Sequence, residues 1–136
     1  MISVYKGVAH PWLCDVMGHM TTRHYVAMFD DASYHFLREV FGWNWGESSL
    51  GWADVKHLIE YQEEVGAGDL LEVSGGLVAL GTKSITTRYQ MRNITRDQVA
   101  ATLESTSVLF DTEARRAVAL DDAMRQAAQE HMEDGN

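Results

Sequence analysis

Apolar residues recur at intervals of three and four in the stretch that begins at Tyr25 and ends before Gly42. The recurring positions are Tyr25, Phe29, Ala32, Phe36, Leu37, Val40 and Phe41. Wound as an α-helix, they form a single apolar stripe that can pack against a core. Thr21 or Thr22 can cap the helix start through a hydroxyl, and Gly42 stands where a left-handed residue commonly ends a helix. The pattern therefore predicts one long amphipathic helix.

Most of the remaining chain alternates between apolar and polar residues, as half-buried strands do. The predicted strands are residues 2–9, 53–64, 70–80, 84–91 and 99–110. A short Asp-capped helix is predicted over residues 121–132, and residues 133–136 are expected to fray. One long helix followed by four consecutive strands predicts an α+β fold in which an antiparallel sheet wraps around the helix.

Three of the predicted strands carry more detailed expectations. The alternation in the second strand places four side chains on one apolar face, namely Val55, His57, Ile59 and Tyr61. Gly75-Gly76, inside the third strand, predicts a bulge or a strong bend. The strand over residues 99–110 is apolar on both faces, which is typical of a strand covered on both sides.

Composition narrows the class of protein. With 136 residues, 46% of them hydrophobic, the chain is expected to form a single domain over residues 1–136. A formal charge of −9 argues against a nucleic-acid partner, because phosphate binding needs clustered Lys and Arg. No basic start leads into an apolar run, and no stretch approaches the roughly 18 apolar residues of a membrane span. Together with the single Cys14, these features predict a soluble cytoplasmic protein.

A lone carboxylate, a flexible turn and a helix start fall together between Cys14 and Tyr25. The first-turn N–H groups near Thr22 can stabilise the oxygen of a carbonyl as it becomes negative, because they lie at the positive end of the helix dipole. Asp15 precedes that start and can attack the carbonyl carbon or act as general base for a water. Gly18 suits a tight turn that lets a substrate approach closely.

The same residues resemble a known family. Asp15, Gly18, His19, Met20 and Tyr25 follow the spacing of the hotdog-fold acyl-CoA thioesterases of the 4-hydroxybenzoyl-CoA type. The chain carries Thr21-Thr22 where that family commonly has Asn-Asn, which puts any role of an Asn side chain in doubt. The run Gly-His-Met-Thr is similar to the branch that includes betainyl-CoA thioesterases.

This resemblance implies the hotdog fold, an acyl-CoA substrate and no cofactor, since thioester hydrolysis requires only water. It implies that Asp15 is the catalytic carboxylate and that a backbone N–H near Thr22 polarises the thioester. It also implies a homodimer or a dimer of dimers, with active sites between subunits. Independently of the family, the sequence shows only a sheet whose edges need cover.

Several further residues are candidates for substrate contacts, each with a structural alternative. His19 can orient Asp15, line the pocket or hydrogen-bond its own loop. Tyr25 can touch the substrate or anchor the core, and His57 can face the pocket or remain a satisfied core histidine. Coenzyme A phosphates could be met by three cations gathered on one side of a hairpin, Lys83, Arg88 and Arg92, although solvated strand charges are the usual case. No His-x-x-x-His or Cys pair predicts a metal site.

Two other functions fit the sequence less fully. A hotdog dehydratase or hydratase would use a histidine with an acid on the central helix of the partner, for which His10 and either Asp30 or Asp31 are candidates. A non-catalytic domain would bind acyl-CoA without turnover. The helix start matches the thioesterase pattern rather than the dehydratase pattern, and the intact Asp15 favours catalysis.

Overall fold

The computed structural model describes residues 1–133 as one sheet, one long helix and a short second helix. The elements are β1 (Ile2–Val8), a 3-10 turn (Pro11–Leu13), α1 (Thr22–Phe41), β2 (Leu50–Tyr61), β3 (Leu70–Leu80), β4 (Ser84–Asn93), β5 (Gln98–Asp111), β6 (Arg116–Ala117) and α2 (Asp122–Gln129). The predicted long helix and the five predicted strands are confirmed. The two-residue β6 was not predicted.

The strands form an antiparallel sheet in the order β1-β3-β4-β5-β2, and β6 pairs with the end of β5. Helix α1 lies across one face, mainly over β1 and β3. The α+β arrangement predicted from the sequence is therefore confirmed. β5 lies between β4 and β2, so it is an interior strand, as its two apolar faces indicated.

The apolar stripe of α1 forms the centre of the core. Its fully buried members Phe29, Ala32 and Phe36 pack toward the alternate side chains of β4, of which Tyr89 is 2% exposed. Phe36 meets the ring of Tyr89 edge-on, with ring centroids 5.6 Å apart. A Cβ atom on Gly75 would lie 2.9 Å from Phe36 and 3.0 Å from Tyr89. Gly75 thus lets the helix approach the sheet closely.

The bulge predicted at Gly75-Gly76 is misplaced. Both glycines pair regularly with β4, and the register of β3 shifts between Leu77 and Ala79 instead. A glycine pair inside a strand commonly marks backbone bending, whereas the physical reason for Gly75 is the space that Phe36 and Tyr89 occupy.

The predicted apolar face of β2 is wrong at Val55. The pairing of β2 with β5 shifts between Asp54 and Lys56, which leaves Val55 in a bulge with 60% of its surface exposed. An extra residue in a strand reverses the side-chain alternation across it. Asp54 therefore shares the helix-facing side with His57, and its side chain accepts a hydrogen bond from buried Ser107 at 2.6 Å.

The C-terminal part is shorter and better anchored than predicted. Asp121 caps α2 by accepting a hydrogen bond from Met124 N at 2.8 Å, as expected, but the helix ends at Gln129. Fraying is wrong for Glu133, whose N–H donates to Leu77 O at 2.7 Å and whose carboxylate pairs with the N-terminal amine at 2.8 Å. Residues 134–136, for which fraying was also predicted, lie outside the described residues. Among residues 1–133, no helix has the length and apolar character needed to cross a membrane.

Candidate active site

Asp15 lies in a tight turn that follows the 3-10 segment Pro11–Leu13. Its Oδ1 accepts hydrogen bonds from Met17 N at 2.9 Å and His19 N at 3.4 Å. The turn is closed by Gly18 N, which donates to Asp15 O at 3.0 Å. Within residues 1–133, no group donates a hydrogen bond to the second carboxylate oxygen. The carboxylate is therefore held by its own loop through one oxygen, while the other remains available.

The start of α1 is capped differently from the prediction. Thr21 is the N-cap residue, but its hydroxyl does not bond the first helical turn. It donates instead to Leu13 O at 2.8 Å, and Thr21 N donates to the same oxygen at 3.0 Å. Among the N–H groups of the first helical turn, that of His24 donates a hydrogen bond to Thr21 O at 3.0 Å. For Thr22 N and Arg23 N the described residues offer no acceptor, so two donors point out of the helix end.

Asp15, His19, Thr22 and Tyr25, four of the predicted site residues, line one open cavity of about 380 Å³. Its other walls come from the segment that follows β2, residues 61–64. The structure therefore brings the predicted carboxylate, helix start and aromatic residue together at one cavity. The sequence did not identify Tyr61 or Glu64, because both come from a distant segment that only the folded chain places here.

His19 faces Glu64 rather than Asp15. Its Nε2 lies 3.1 Å from Glu64 Oε2, and both side chains are partly exposed. His19 also holds the loop, because its carbonyl accepts from Asp15 N at 2.9 Å and its backbone bridges to Gly66. The residue thus lines the cavity and fixes the turn, while its ring belongs to an ion pair with Glu64 when protonated.

Tyr25 and Gly18 have mainly structural surroundings. Tyr25 is 4% exposed and meets Tyr61 edge-on at 5.1 Å between ring centroids. Burial and the neighbouring Tyr61 raise the pKa of Tyr25, so the phenol stays neutral at physiological pH. Gly18 has φ +80° with no atom near its missing Cβ, so the turn requires glycine for its backbone conformation and not for space.

His57 lies outside this cavity. Its Nε2 is 3.4 Å from Asp54 Oδ2, on the part of β2 that faces Asp30 of α1. Burial raises the pKa of Asp30, the charges of Asp54 and Asp31 raise it further, and His57 lowers it. His57 therefore belongs to a second group of polar residues farther along the helix. That group was not predicted from the sequence, because the bulge at Val55 that turns Asp54 inward leaves no signal in the pattern.

The three cations proposed for phosphate binding are not brought together. Lys83 precedes β4 and Arg92 lies near its end, so nine residues of strand place them about 30 Å apart. Arg88 pairs with Glu104 at 3.2 Å, and Arg92 pairs with Asp97. Each cation stays a separate candidate for phosphate contact, but a single cluster does not form.

The residues of the dehydratase alternative are also apart. His10 stacks on Trp12 with ring centroids 4.3 Å apart. Asp30 lines the second cavity along α1, whereas the charge of Asp31 acts on Tyr5 of β1, so the two aspartates face different sides of the helix. No group of three His, Cys, Asp or Glu side chains in residues 1–133 converges as a metal site.

Comparison with known proteins identifies a family and a fold. Residues 9–128 match the family described as the Thioesterase-like superfamily. No curated protein matches the sequence. The probable thioesterase YbaW of Escherichia coli has a structure with a TM-score of 0.83 and 20% identity, covering 96% of this chain and 99% of that one.

Two further solved structures are similar at low identity. A hypothetical protein of Staphylococcus aureus, solved in complex with CoA, gives a TM-score of 0.85 at 16% identity over 98% of this chain and 89% of its own. A 1,4-dihydroxy-2-naphthoyl-CoA thioesterase of Synechocystis has a structure with a TM-score of 0.79 and 14% identity, covering 93% of this chain and 95% of that one. These likenesses confirm the predicted hotdog fold, with an antiparallel sheet and a helix packed against it.

Proposed function

The chain belongs to the thioesterase-like superfamily, and from that premise we propose that it hydrolyses an acyl-CoA thioester to a free acid and coenzyme A. One observation carries the proposal. Asp15 and Thr22, the first residue of α1, line the same cavity, and within residues 1–133 one Asp15 oxygen has no donor and the N–H groups of Thr22 and Arg23 have no acceptor. Thioester hydrolysis needs this pair of features, a nucleophile or base and an oxyanion site.

In the proposed reaction the thioester carbonyl oxygen accepts hydrogen bonds from the N–H groups of Thr22 and Arg23. Asp15 then attacks the carbonyl carbon, the C–S bond breaks, and coenzyme A leaves as a thiolate that is protonated by solvent. Water hydrolyses the resulting anhydride and restores the carboxylate. Alternatively Asp15 takes a proton from a water whose oxygen attacks the same carbon. Both routes use the same residues and need no cofactor.

The surrounding residues position these groups. Gly18 permits the turn, His19 holds its backbone, and Tyr25 with Tyr61 forms an apolar wall beside the acyl group. The N–H groups of Met17 and His19 fix the orientation of the Asp15 carboxylate. We assign His57 no contact with the reacting carbonyl, since it lies outside the cavity of Asp15 and beside Asp54.

The finer assignments are also proposals. A structurally similar protein binds CoA and another is a CoA thioesterase, which supports coenzyme A as the carrier. The 4-hydroxybenzoyl and betainyl groups are candidate acyl groups by resemblance. Lys83, Arg88 and Arg92 remain candidates for the phosphates of coenzyme A, acting singly.

We propose a homodimer that covers the free edge of β2. This edge strand exposes Val55, Leu58 and Tyr61 at 60%, 52% and 48%, and exposed apolar edges need cover. Sedimentation velocity is expected to show a dimer or a dimer of dimers. A monomer at micromolar concentration would contradict this part of the proposal.

The function is tested by free-thiol release from short, long, aromatic and betainyl coenzyme A thioesters. The purified protein is compared with Asp15→Asn, which keeps the side-chain shape and removes the charge. We expect release that depends on Asp15. Binding of the thioesters without release by the wild type, across the whole panel, would favour the non-catalytic acyl-CoA-binding alternative.

A further inference from the structure

A second cavity lies farther along α1, between that helix and the inner face of the sheet. Its volume is about 80 Å³, enough for a small group of atoms. We name it the acidic cleft and define it by the lining residues Asp30, Asp54, Trp45, Trp52, Thr87 and Ser105. None of these residues has a role in the reaction described above.

The acidic cleft carries negative charge with little compensation. Asp54 Oδ1 accepts from Ser107 at 2.6 Å, and its Oδ2 lies 3.4 Å from His57. Asp30 has no ion-pair partner in the described part of the chain. Asp30 and Asp54 both line the cleft, and each also keeps solvent-exposed surface. Partial burial, followed by the charge of Asp54, raises the pKa of Asp30. A cation placed between them would relieve their repulsion.

A buried hydroxyl opens into the same space. Ser105 is 5% exposed, lines the cleft, and makes no side-chain hydrogen bond within residues 1–133. Buried polar groups normally have a partner. The Ser105 hydroxyl is therefore available to a polar ligand group, and this observation is independent of the two carboxylates.

Aromatic rings form the outer wall of the cleft. Tyr34 and Trp45 have ring centroids 4.8 Å apart, and Trp52 stands beside them among the lining residues. Faces of Trp and Tyr attract cations, more strongly when water is partly excluded. Carboxylates, aromatic faces and a free hydroxyl together suit an organic cation better than an alkyl group.

We propose that the acidic cleft binds the distal end of the acyl group and that this end carries a positive charge. The inference rests on the proposed thioester hydrolysis, because it places the acyl carbonyl at the start of α1. Thr22 and Asp30 are eight residues apart on that helix, a rise of about 12 Å. The Asp30 side chain leans back toward the helix start, so the cation lies roughly 8–12 Å from the carbonyl.

The distance specifies the length of the acyl chain. An extended chain advances about 3.3–3.6 Å for every three bonds. A distance of roughly 8–12 Å therefore corresponds to about seven to ten bonds between the carbonyl carbon and the charged atom. The surface between the two cavities suits an alkyl segment, because Val26 of α1 is 38% exposed and Ile59 of β2 is half-buried. A short cationic acyl group, with its charge two bonds from the carbonyl carbon, would not reach Asp30.

The test compares two acyl groups of equal shape. Thiol release is measured with 8-aminooctanoyl-CoA, whose ammonium lies eight bonds from the carbonyl carbon, and with nonanoyl-CoA, its neutral isostere. The wild type is expected to favour the ammonium compound in kcat/KM. Asp30→Asn is expected to lower the ratio of the two kcat/KM values about tenfold, the value of one charge-assisted hydrogen bond. Glu39→Gln, an equal charge change on an exposed position of α1, is expected to keep the ratio.

A wild-type preference for nonanoyl-CoA, or an unchanged ratio in Asp30→Asn, would overturn the inference. A preference for trimethylammonioacetyl-CoA over 3,3-dimethylbutyryl-CoA that depends on Asp30 would overturn the assigned chain length. Non-hydrolysable thioether analogues of the two long compounds separate this inference from the proposed function. Preferential binding of the ammonium analogue without any hydrolysis of the thioesters would support cation binding in the acidic cleft and refute the proposed hydrolase activity. Hydrolysis of both thioesters without a preference would support the hydrolase activity and refute cation binding in the cleft.

Discussion

Two turns of this protein are each organised by an aspartate, but the two carboxylates have very different surroundings. Asp69 is 5% exposed, and its Oδ2 accepts from Gly66 N at 2.8 Å, Asn93 Nδ2 at 2.8 Å and Arg96 Nε at 3.0 Å. Asp15 is half-buried and has donors on one oxygen only, both from its own loop. Both carboxylates therefore have donors on one oxygen, but Asp69 is buried and is bonded from a second segment through Asn93 and Arg96, whereas Asp15 is held only by its own loop and lines a cavity.

The difference shows how the surroundings decide between a structural and a chemical role. Burial alone would raise the pKa of Asp69, but the hydrogen bonds from Asn93 and Gly66 and the Arg96 guanidinium together hold it below the usual range. A carboxylate held in this way stabilises the fold and cannot meet a substrate. Asp15 is only half-buried and lines the cavity, so its carboxylate can do so.

The two turns also depend on each other. Met20 N donates to Val65 O at 2.8 Å, and His19 bridges to Gly66, so the loop that Asp69 organises supports the loop that holds Asp15. Ala9 N donates to Asp69 O at 2.9 Å and ties β1 to the same place. The satisfied turn therefore forms a rigid base for the reactive one.

The largest expected effect comes from Asp15→Asn. A general base or nucleophile contributes about 10²–10⁴-fold to rate, so thiol release should fall by that factor. The urea midpoint should change little, since an amide oxygen can still accept from Met17 N. Loss of activity together with a large drop in the midpoint would assign Asp15 to the structural class of Asp69.

Asp69→Asn is expected to show the opposite pattern. The change removes the charge that pairs with Arg96 and leaves buried donors imperfectly matched, at a cost of about 2–3 kcal/mol in the free energy of unfolding. This corresponds to a fall of roughly 10 °C in Tm. Calorimetry and urea unfolding measure it.

Asp111→Asn is the matched control for that change. Asp111 also accepts backbone hydrogen bonds in a turn, from Glu113 N at 2.9 Å and Ala114 N at 3.1 Å, but at an exposed position. The fall in Tm of Asp111→Asn should be clearly smaller than that of Asp69→Asn. An equal fall in Tm in the two variants would mean that the burial of Asp69 adds nothing to the stability of the fold.

The pH dependence of stability gives a third test of the buried turn. The pKa of Asp69 is lowered in the folded state, whereas an unfolded Asp has a pKa of about 3.9. The unfolded chain therefore binds the proton first as pH falls, so the stabilisation is present above about pH 4 and is lost as pH falls through the folded pKa. Urea midpoints from pH 7 to pH 3 should fall less in Asp69→Asn than in the wild type. Parallel curves would contradict the prediction.

The smallest expected effect concerns the far end of the Asp15 turn. Thr21→Val removes the hydroxyl that donates to Leu13 O and keeps the side-chain shape, which should cost about 1 kcal/mol. Thiol release should drop only a few-fold, because the helix N–H groups stay. Thr21→Ser should restore both values. No change in Thr21→Val would show that the turn is held from within.

Much of the fold followed from local patterns. The α1 stripe and its Gly42 cap were correct because helix periodicity and left-handed caps depend on residues close in sequence. The alternation expected of the predicted strands is confirmed in β4, whose buried side chains alternate. The predicted face of β2 was right for His57, Ile59 and Tyr61 but wrong at Val55, because a bulge is decided by pairing with β5, a strand more than forty residues away.

The same distinction between local sequence and long-range contacts applies to the candidate site. The sequence by itself determined the turn at Asp15, the helix start at Thr22 and the spacing between them, because all lie in one short segment. Only the tertiary structure decided that Thr21 bonds Leu13 instead of the helix and that His19 meets Glu64. It also decided that His57 stands with Asp54 and Asp30 and that Asp69 is bonded by Asn93 and Arg96. Those contacts join segments whose approach is set by the packing of α1 on the sheet, and no local pattern carries that information.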